Sequence, residues 1–275
     1  MDRTIVKDID SRQLRDYMER AKEGDFLLVD VREPKEYKQA HIPGAILIPL
    51  KEVETSITDY DVERDLIFYC RSGRRSRLAA HLVEDMGIPA KNIWNLSGGI
   101  LSWRGEKLPD FPRIEVFSDK TKISEILMKA FEMEKGTRQF YLAASSYMAD
   151  KALSKDITSL ARLEVEHARL IFKHLKKERS DLGDFETLFE TAPATVMEGG
   201  LSMEEAVKRI SEMHGDYCIN FGEFALEIEL MAYDLYRNLS ERAETKEAAT
   251  AFLRLAEQEK THARVVSRII EKCMG

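Results

Sequence analysis

A set of four reactive residues occurs twice in this chain, in the same order and at the same spacing. The two sets are Glu134, Tyr141, Glu164 and His167, and then Glu229, Tyr236, Glu259 and His262. A Leu-Ala pair precedes the second glutamate of each set, and an Ala-Arg pair follows each histidine. An internal repeat constrains the fold strongly, because both copies have to form the same local structure. Each Glu-x-x-His motif places a carboxylate and an imidazole on one face of a helix.

The C-terminal part of the sequence has the pattern of four long amphipathic helices, at about 120–149, 151–178, 216–242 and 245–273. The repeated glutamates lie inside the apolar stripes, where an ionised carboxylate is costly unless it is paired or bound to a metal. If the chain turns near Ala149 and near Glu244, the four helices form two antiparallel hairpins. Glu134 and Glu164 then lie at the same depth in the first hairpin, and Glu229 and Glu259 lie at the same depth in the second. The stretch 179–215, with a short helix around 202–213, is long enough to cross between the hairpins of a four-helix bundle.

Such a bundle would collect four carboxylates and two imidazoles at one depth. Oxygen-rich ligands together with histidine suit iron or manganese, with zinc as a common substitute. The sequence therefore predicts a metal site formed by Glu134, Glu164, His167, Glu229, Glu259 and His262. The alternative is a helical repeat in which the buried polar residues only pair with one another. Tyr141 and Tyr236, two turns from their glutamates, are candidates to hydrogen-bond ligand carboxylates, although aromatic residues at this spacing also serve as core.

These residues resemble the ferritin-like superfamily, and most closely its rubrerythrin branch, over 120–275. The resemblance implies a di-iron centre bound by the six residues, with Glu164 and Glu259 bridging the metals. Rubrerythrins have a further glutamate one turn after the third-helix ligand, where this chain has Ala232. They also have an iron site made of two Cys-x-x-Cys pairs, which this sequence lacks. The electron donor to the centre is therefore unknown.

The N-terminal residues 1–108 alternate short strands and helices, which is an α/β pattern. A first strand is expected to end at Val6, and further strands are expected at 26–31, 45–48, 66–69 and 93–96. One helix is expected to run to Ala21 with Ser11 as its capping residue, and a second helix is expected over 76–86. The stretch 109–119 has the composition of a linker. Cys70 falls between a strand end and a helix start, among four arginines. Backbone N–H groups, the helix dipole and these cations favour a thiolate over a buried structural cysteine.

Residues 1–108 resemble a single-domain rhodanese, through the strings DVRE (30–33), EY (36–37) and HIPGA (41–45), the Cys70 loop, GG (98–99) and Trp103. The resemblance implies that Cys70 accepts sulfane sulfur as a cysteine persulfide. It also implies that the persulfide is held by the amides of Arg71, Ser72, Gly73, Arg74 and Arg75. Phosphatases of a related fold need an arginine where this chain has Ser76, so phosphatase activity is not expected. His41 is expected to be a structural part of its turn.

Composition and hydropathy limit the compartments and the classes of partner that are expected for this chain. With 49 acidic and 42 basic residues and no basic tract, the chain is not expected to bind nucleic acid. No segment approaches the roughly 20 apolar residues that span a bilayer, and the N-terminus has no signal-peptide core, so a cytoplasmic protein without membrane contact is expected. Three cysteines, an odd number, favour a reducing compartment, with Cys218 and Cys273 as packing residues.

We therefore expect a multidomain protein, with an N-terminal α/β rhodanese-like domain (a parallel sheet flanked by helices) at 1–108, a linker at 109–119, and a C-terminal all-α ferritin-like four-helix bundle at 120–275. The expected function is a sulfurtransferase fused to a di-iron oxidoreductase. Its partners would be a small sulfur donor such as thiosulfate or a persulfide, peroxide or oxygen, and an unknown electron donor. One alternative is a metal-storage or sensor protein with a persulfide-presenting domain and no peroxidase turnover. Another is a structural bundle that dimerises the sulfurtransferase, and a homodimer is expected.

Overall fold

The computed structural model of this chain describes residues 5–117, 122–146 and 151–274. The chain divides into two compact units, each built from two stretches. The first unit comprises Met1–Pro112 and Tyr233–Glu257, and the second comprises Arg113–Ala232 and Gln258–Gly275. The break after Pro112 falls inside the predicted linker, whose last two positions, 118–119, lie outside the described residues. The inclusion of Tyr233–Glu257 in the first unit was not expected from the sequence.

A parallel sheet forms the centre of the first unit, as predicted. Its five strands are β1 (Val6–Ile9), β2 (Phe26–Asp30), β3 (Ile46–Leu47), β4 (Asp65–Tyr69) and β5 (Asn92–Leu96), in the order β1-β5-β4-β2-β3. The register pairs Val29 with Phe68 across β2 and β4. The prediction that the first strand ends at Val6 is wrong, because β1 begins there. As an edge strand, β1 tolerates exposed Lys7 and Asp8, so it lacks the apolar run that marks the inner strands.

Helices cover both faces of the sheet. They are α1 (Ser11–Arg20), α2 (Pro34–Gln39), α3 (Val53–Ser56), α4 (Arg74–Asp85) and α5 (Gly99–Ser102). Side chains alternate along β2, so that Leu27 packs in one apolar cluster with Val83 of α4, while Leu28 packs in a second cluster with Leu14 of α1. Asp10, rather than the predicted Ser11, caps α1, since its carboxylate accepts a hydrogen bond from the Gln13 N–H at 2.8 Å.

The remaining helices are α6 (Ile123–Ser146), α7 (Lys151–Glu178), α8 (Phe185–Thr191), α9 (Met203–Ser211), α10 (Tyr217–Glu241) and α11 (Lys246–Met274). The four long helices of the predicted bundle are present. The second unit contains α6 to α9, the first part of α10 and the last part of α11. The predicted ends of the first long helix and the turn near Ala149 lie outside the described residues. Helix α8 was not predicted; Asp184 caps it, and Phe185 and Phe189 bury its inner face.

A disulfide joins Cys218, in the first turn of α10, to Cys273, in the last turn of α11. These two cysteines were predicted only as packing residues, and their pairing was not expected from the sequence. They lie 55 positions apart in sequence, yet the antiparallel course of the two helices brings their Cα atoms to 5.7 Å. The odd cysteine count consequently gives no argument for a reducing compartment, and a cytoplasmic location stays a prediction. Among the described residues, no helix is both long and apolar enough to cross a bilayer.

Candidate functional site

Cys70 directly follows β4, at the edge where the parallel strands have their carboxyl ends. Its side chain is only 1% exposed, and its Sγ accepts a hydrogen bond from the backbone N–H of Gly73 at 3.1 Å. The hydroxyl of Ser76 lies 3.5 Å from the same sulfur and 2.7 Å from Asn95 Oδ1. Burial alone would raise the pKa of Cys70, but hydrogen bonds from the loop outweigh it and lower this pKa. The loop therefore favours a thiolate.

Two glycines give the Cys70 loop its shape. Gly73 has φ +87° and is the N-cap of α4, which directs the first amides of that helix toward the sulfur. Gly99 has φ +57°, and a Cβ at this position would lie 2.3 Å from the carbonyl oxygen of Cys70. The same carbonyl accepts a hydrogen bond from the N–H of Ile100 at 2.8 Å. The GG string at 98–99 thus lets α5 approach the backbone of the cysteine loop.

The arginines that follow Cys70 have different surroundings. Arg71 and Arg74 are exposed, whereas Arg75 makes a bidentate ion pair with Glu36, at 2.8 and 2.7 Å. Hydrogen bonding to Arg75 lowers the pKa of Glu36 to about 2. Arg75 also interacts with the Cys70 sulfur. Glu36 was not among the predicted site residues. The available signal was its place in the first turn of α2, the helix that follows the string DVRE.

His41 is held inside the first unit by Asp234, an acidic residue that was not among the predicted site residues. Its Nε2 lies 3.0 Å from Asp234 Oδ2, and the other oxygen of Asp234 accepts the N–H of Gly44 at 2.7 Å. The ring stacks on Tyr37 with a centroid distance of 3.9 Å. This geometry suits a residue that fixes the HIPG turn. No local motif could reveal Asp234, because it lies 193 positions from His41.

All six predicted metal ligands lie in the second unit and meet in its interior. Their ligand atoms fall into overlapping groups in which every atom lies within 4.8 Å of the others, for example Glu164 with His167 and His262. His262 Nδ1 lies 3.3 Å from Glu229 Oε2, and the two imidazole rings stack at 4.0 Å. The elements that supply them are α6 for Glu134, α7 for Glu164 and His167, α10 for Glu229, and α11 for Glu259 and His262.

The charges in this cluster are not balanced by hydrogen-bond donors. Among the described residues, neither carboxylate oxygen of Glu134, Glu164 or Glu259 has a hydrogen-bond partner. Burial raises the pKa of each of these three carboxyls well above its ordinary value. An excess of buried oxygen ligands over donors is what a site for divalent cations requires, and two imidazoles complete a donor set typical of iron or manganese. The residues present therefore fit a two-metal centre.

The two histidines of the cluster differ in their electrostatic surroundings. Burial, and then the neighbouring His262, lower the pKa of His167 to about 3. Burial also opposes a charge on His262, but Glu164 and Glu229 outweigh it and raise the pKa of His262 to about 10. Of the two imidazoles, His262 is thus the one whose charged form these carboxylates stabilise. The same carboxylates would attract a bound metal ion.

The two tyrosines of the repeat lie in different units. Tyr141 is buried, and its hydroxyl donates a hydrogen bond to Glu229 Oε1. That contact is the one expected of a residue that orients a metal ligand. Tyr236 belongs to the first unit, where its ring packs against Phe252 at 6.3 Å. Its contact with a ligand carboxylate stays a prediction.

A fifth acidic residue, Glu198, lies in the same cluster and was not predicted. Its side chain is buried, and its carboxylate lies within 4.8 Å of ligand atoms from Glu229, Glu259 and His262. It comes from a short 3-10 turn, Glu198–Gly200, between α8 and α9. Helical periodicity cannot identify such a residue. The only signal in the sequence was the Glu-Gly-Gly string itself.

Comparisons with known proteins match two families to different parts of the chain. Residues 13–106 match the Rhodanese-like domain family, and residues 220–275 match the Rubrerythrin family. A sulfurtransferase of Allochromatium vinosum is 36% identical over 105 residues, which are 38% of this chain and 94% of that protein. An HTH-type transcriptional regulator of Mycobacterium tuberculosis is 36% identical over 92 residues, and the chain covers 40% of it. The crystal structure of a rhodanese-like domain protein from Staphylococcus aureus, 26% identical, covers 38% of this chain and 98% of its own, with a TM-score of 0.34.

Proposed function

Since this chain belongs to the rhodanese-like family through residues 13–106 and carries a rubrerythrin-family domain at 220–275, we propose that it is a sulfurtransferase fused to a di-iron oxidoreductase. The sulfurtransferase half rests on one observation above the others, the buried Cys70 sulfur that accepts the Gly73 N–H. The oxidoreductase half rests on the buried carboxylates that lack donors among the described residues.

The proposed sulfur transfer has two displacements at Cys70. The Cys70 thiolate attacks the outer sulfur of thiosulfate, the sulfur–sulfur bond of thiosulfate breaks, and sulfite leaves with the bonding electrons. A nucleophile such as cyanide then attacks the outer sulfur of the persulfide, which releases thiocyanate and restores the thiolate. Neither step changes the net charge or needs an external oxidant or reductant.

The loop residues support these steps by binding anions. The Gly73 N–H already points at the sulfur, and the positive end of the α4 dipole lies on the same side. The exposed side chains of Arg71 and Arg74 can attract an anionic donor such as thiosulfate. Arg75, tied to Glu36, supplies a fixed positive charge beside the sulfur. The site thus combines a stabilised nucleophile with a cationic entrance.

Replacement of Cys70 tests this half. Cys70→Ser should abolish thiocyanate formation from thiosulfate and cyanide, because a serine hydroxyl is not ionised at neutral pH and cannot carry sulfur. The double variant Cys218→Ser/Cys273→Ser should retain the activity, since those sulfurs are joined in the disulfide. Full activity in Cys70→Ser would contradict the assignment.

For the second half, we propose that the six predicted ligands bind two iron ions, with manganese or zinc as possible substitutes. The metal pair would supply the redox chemistry for reducing peroxide or oxygen. The protein excludes bulk water from the cluster, and Tyr141 holds Glu229 in place through its hydroxyl proton. Peroxide reduction consumes two electrons and two protons per molecule, and the electrons have to come from a separate donor. Hydrogen peroxide turnover with a chemical reductant distinguishes this enzyme from a metal-storage or sensor protein.

Metal analysis of protein loaded with Fe²⁺ without air tests the centre directly. Two metals per chain are expected, because six ligands are too many for one tetrahedral ion. Glu164→Ala should lose metal, whereas Glu166→Ala should not, because Glu166 is exposed on the same helix two positions away. One metal per chain, insensitive to Glu164, would refute the proposal. Light scattering would test the homodimer, which stays a prediction.

A further inference from the structure

Glu198 is a buried acid to which the proposed function gives no role. Its exposed fraction is 0%, and neither carboxylate oxygen has a hydrogen-bond partner in the described part of the chain. Such a carboxylate is destabilising, since it loses water without gaining a donor. Conformational entropy also opposes holding a long side chain in one place. A cation bound by this carboxylate would offset both costs and would explain the position of Glu198.

The carboxylate of Glu198 faces ligands from every helix of the proposed centre. One group of atoms within 4.8 Å joins Glu198 to Glu134 and Glu164. Another joins it to Glu229, Glu259 and His262. Glu198 thus approaches five of the six proposed ligands, including both glutamates of the first hairpin and both of the second. Like charges repel at these distances, and a metal cation bound between the carboxylates would turn this repulsion into attraction.

The loop that carries Glu198 is anchored to α6. The backbone N–H of Glu198 donates to Thr137 Oγ1 at 3.0 Å. Gly136, two positions after the ligand Glu134, lies so close to the loop that a Cβ there would be 2.3 Å from the carbonyl oxygen of Val196. Any larger residue at 136 would push the loop away from the helix. The loop is consequently fixed against the same part of α6 that supplies the first ligand.

The other side of the loop is fixed against α10. Gly199 has φ +69°, and a Cβ at this position would lie 2.6 Å from Met231 Cβ and 3.2 Å from the backbone nitrogen of Ala232. Ala232 lies one turn after Glu229 and has no carboxylate to offer. The loop therefore packs against the backbone of α10 within one turn of Glu229, which holds Glu198 at the cluster.

We infer that Glu198 is a seventh ligand of the metal centre, supplied by the 196–201 loop rather than by a bundle helix. This inference rests on the proposed two-metal centre and adds an oxygen ligand to it. The five glutamates of the completed set, Glu134, Glu164, Glu198, Glu229 and Glu259, outnumber the two histidines. An oxygen-rich set of this kind favours iron or manganese over softer metals.

Glu198→Gln tests the inference with little change in side-chain shape. The control is Glu204→Gln, six positions later and exposed. Each protein is loaded with Fe²⁺ without air for metal analysis, and is titrated with Co²⁺ while the visible absorption of the bound ion is recorded. Glu198→Gln should bind at least one of the two metals tenfold or more weakly and should show a changed Co²⁺ spectrum. Glu204→Gln should match the wild type in both respects.

Glu198→Asp provides a second variant in case the glutamine protein does not fold, as judged by circular dichroism. It keeps the charge but withdraws the carboxylate by one methylene, so a true ligand should again give weaker binding and an altered Co²⁺ spectrum. Wild-type affinity and spectrum in the folded glutamine variant, or in the aspartate variant, would overturn the inference. If Glu164→Ala still lost metal in that case, the proposed centre would stand without Glu198. If the wild type bound no Fe²⁺ or Co²⁺, both proposals would fail together.

Discussion

Gly99→Ala is the substitution that most directly tests how the fold positions the Cys70 sulfur. The new Cβ would lie 2.3 Å from the carbonyl oxygen of Cys70 and 2.7 Å from the carbonyl carbon of Arg71. Both partners are backbone atoms, so no side-chain rotation can relieve the overlap. The cysteine loop has to retreat by roughly 1 Å to restore an ordinary carbon–oxygen contact.

The expected cost can be worked out from two contributions. Alanine in the left-handed region costs about 1–2 kcal/mol. Displacement of the Cys70 carbonyl breaks its 2.8 Å hydrogen bond with the Ile100 N–H, which costs about 1–3 kcal/mol if the buried groups stay unpaired. The free energy of unfolding should thus fall by about 2–5 kcal/mol. Gly87→Ala is the matched control, because Gly87 has φ +67° and a Cβ added there would meet nothing within 4 Å, so it should cost only the first contribution.

Three measurements compare Gly99→Ala with Gly87→Ala. Denaturant unfolding gives the stability difference, and thiocyanate formation gives the sulfur-transfer rate, which a misplacement of about 1 Å can lower about 100-fold.

The pH dependence of alkylation under non-reducing conditions reports the Cys70 thiol, since Cys218 and Cys273 are joined in the disulfide. The pKa of Cys70 is lowered in the wild type, so its alkylation midpoint should lie below that of an ordinary thiol. Gly99→Ala should raise this midpoint by moving the loop amides. Equal effects of the two substitutions on rate and midpoint would refute the reasoning.

Three further outcomes follow from the contacts. Glu36→Gln removes a negative charge near Cys70 while Arg75 keeps its positive charge, so the alkylation midpoint of Cys70 should fall below the wild-type value; a rise would contradict this. Tyr141→Phe removes a hydrogen-bond donor from a proposed ligand and should weaken metal binding by about 10–100-fold in a Co²⁺ titration, with unchanged affinity as the opposing result. The double variant Cys218→Ser/Cys273→Ser should lose up to about 4 kcal/mol of unfolding free energy, as expected for a cross-link over 55 positions. A reductant should lower the denaturant unfolding midpoint of the wild type to that of the variant, and it should leave the unfolding midpoint of the variant unchanged.

The sequence predicted those parts of the fold that have a local period or a local turn signal. Apolar runs identified the inner strands, and helical stripes identified the four long helices. The Cys70 loop could be anticipated because a cysteine, a glycine and the start of a helix follow one another within a few positions. The glutamates and histidines of the repeat could be selected because they stand within apolar stripes, where their burial needed an explanation.

Contacts between distant parts of the chain could not be predicted in this way. The Cys218–Cys273 disulfide depends on the alignment of two helix ends, which no spacing rule specifies. The packing of α10 residues in the first unit is another case. Arg237 donates to the carbonyl of Phe26 at 3.1 Å, and Asp234 accepts the N–H of Gly44, at sequence separations of 211 and 190. The local sequence around a polar residue in an amphipathic helix does not indicate which distant residue it contacts.

Glu198 shows why a ligand set derived from helical spacing is incomplete. A residue on a loop has no period, so its carboxylate cannot be separated from a solvated one by pattern alone. What distinguishes Glu198 is the close approach of its loop to two helices, at Gly136 on α6 and, through Gly199, at the backbone of Ala232 on α10. In the sequence, Gly136 and Ala232 are ordinary helix residues. Their close approach to the loop that contains Gly199 exists only in the folded chain. A loop ligand of this kind is therefore specified by the backbone contacts around it, and its identification requires the three-dimensional structure.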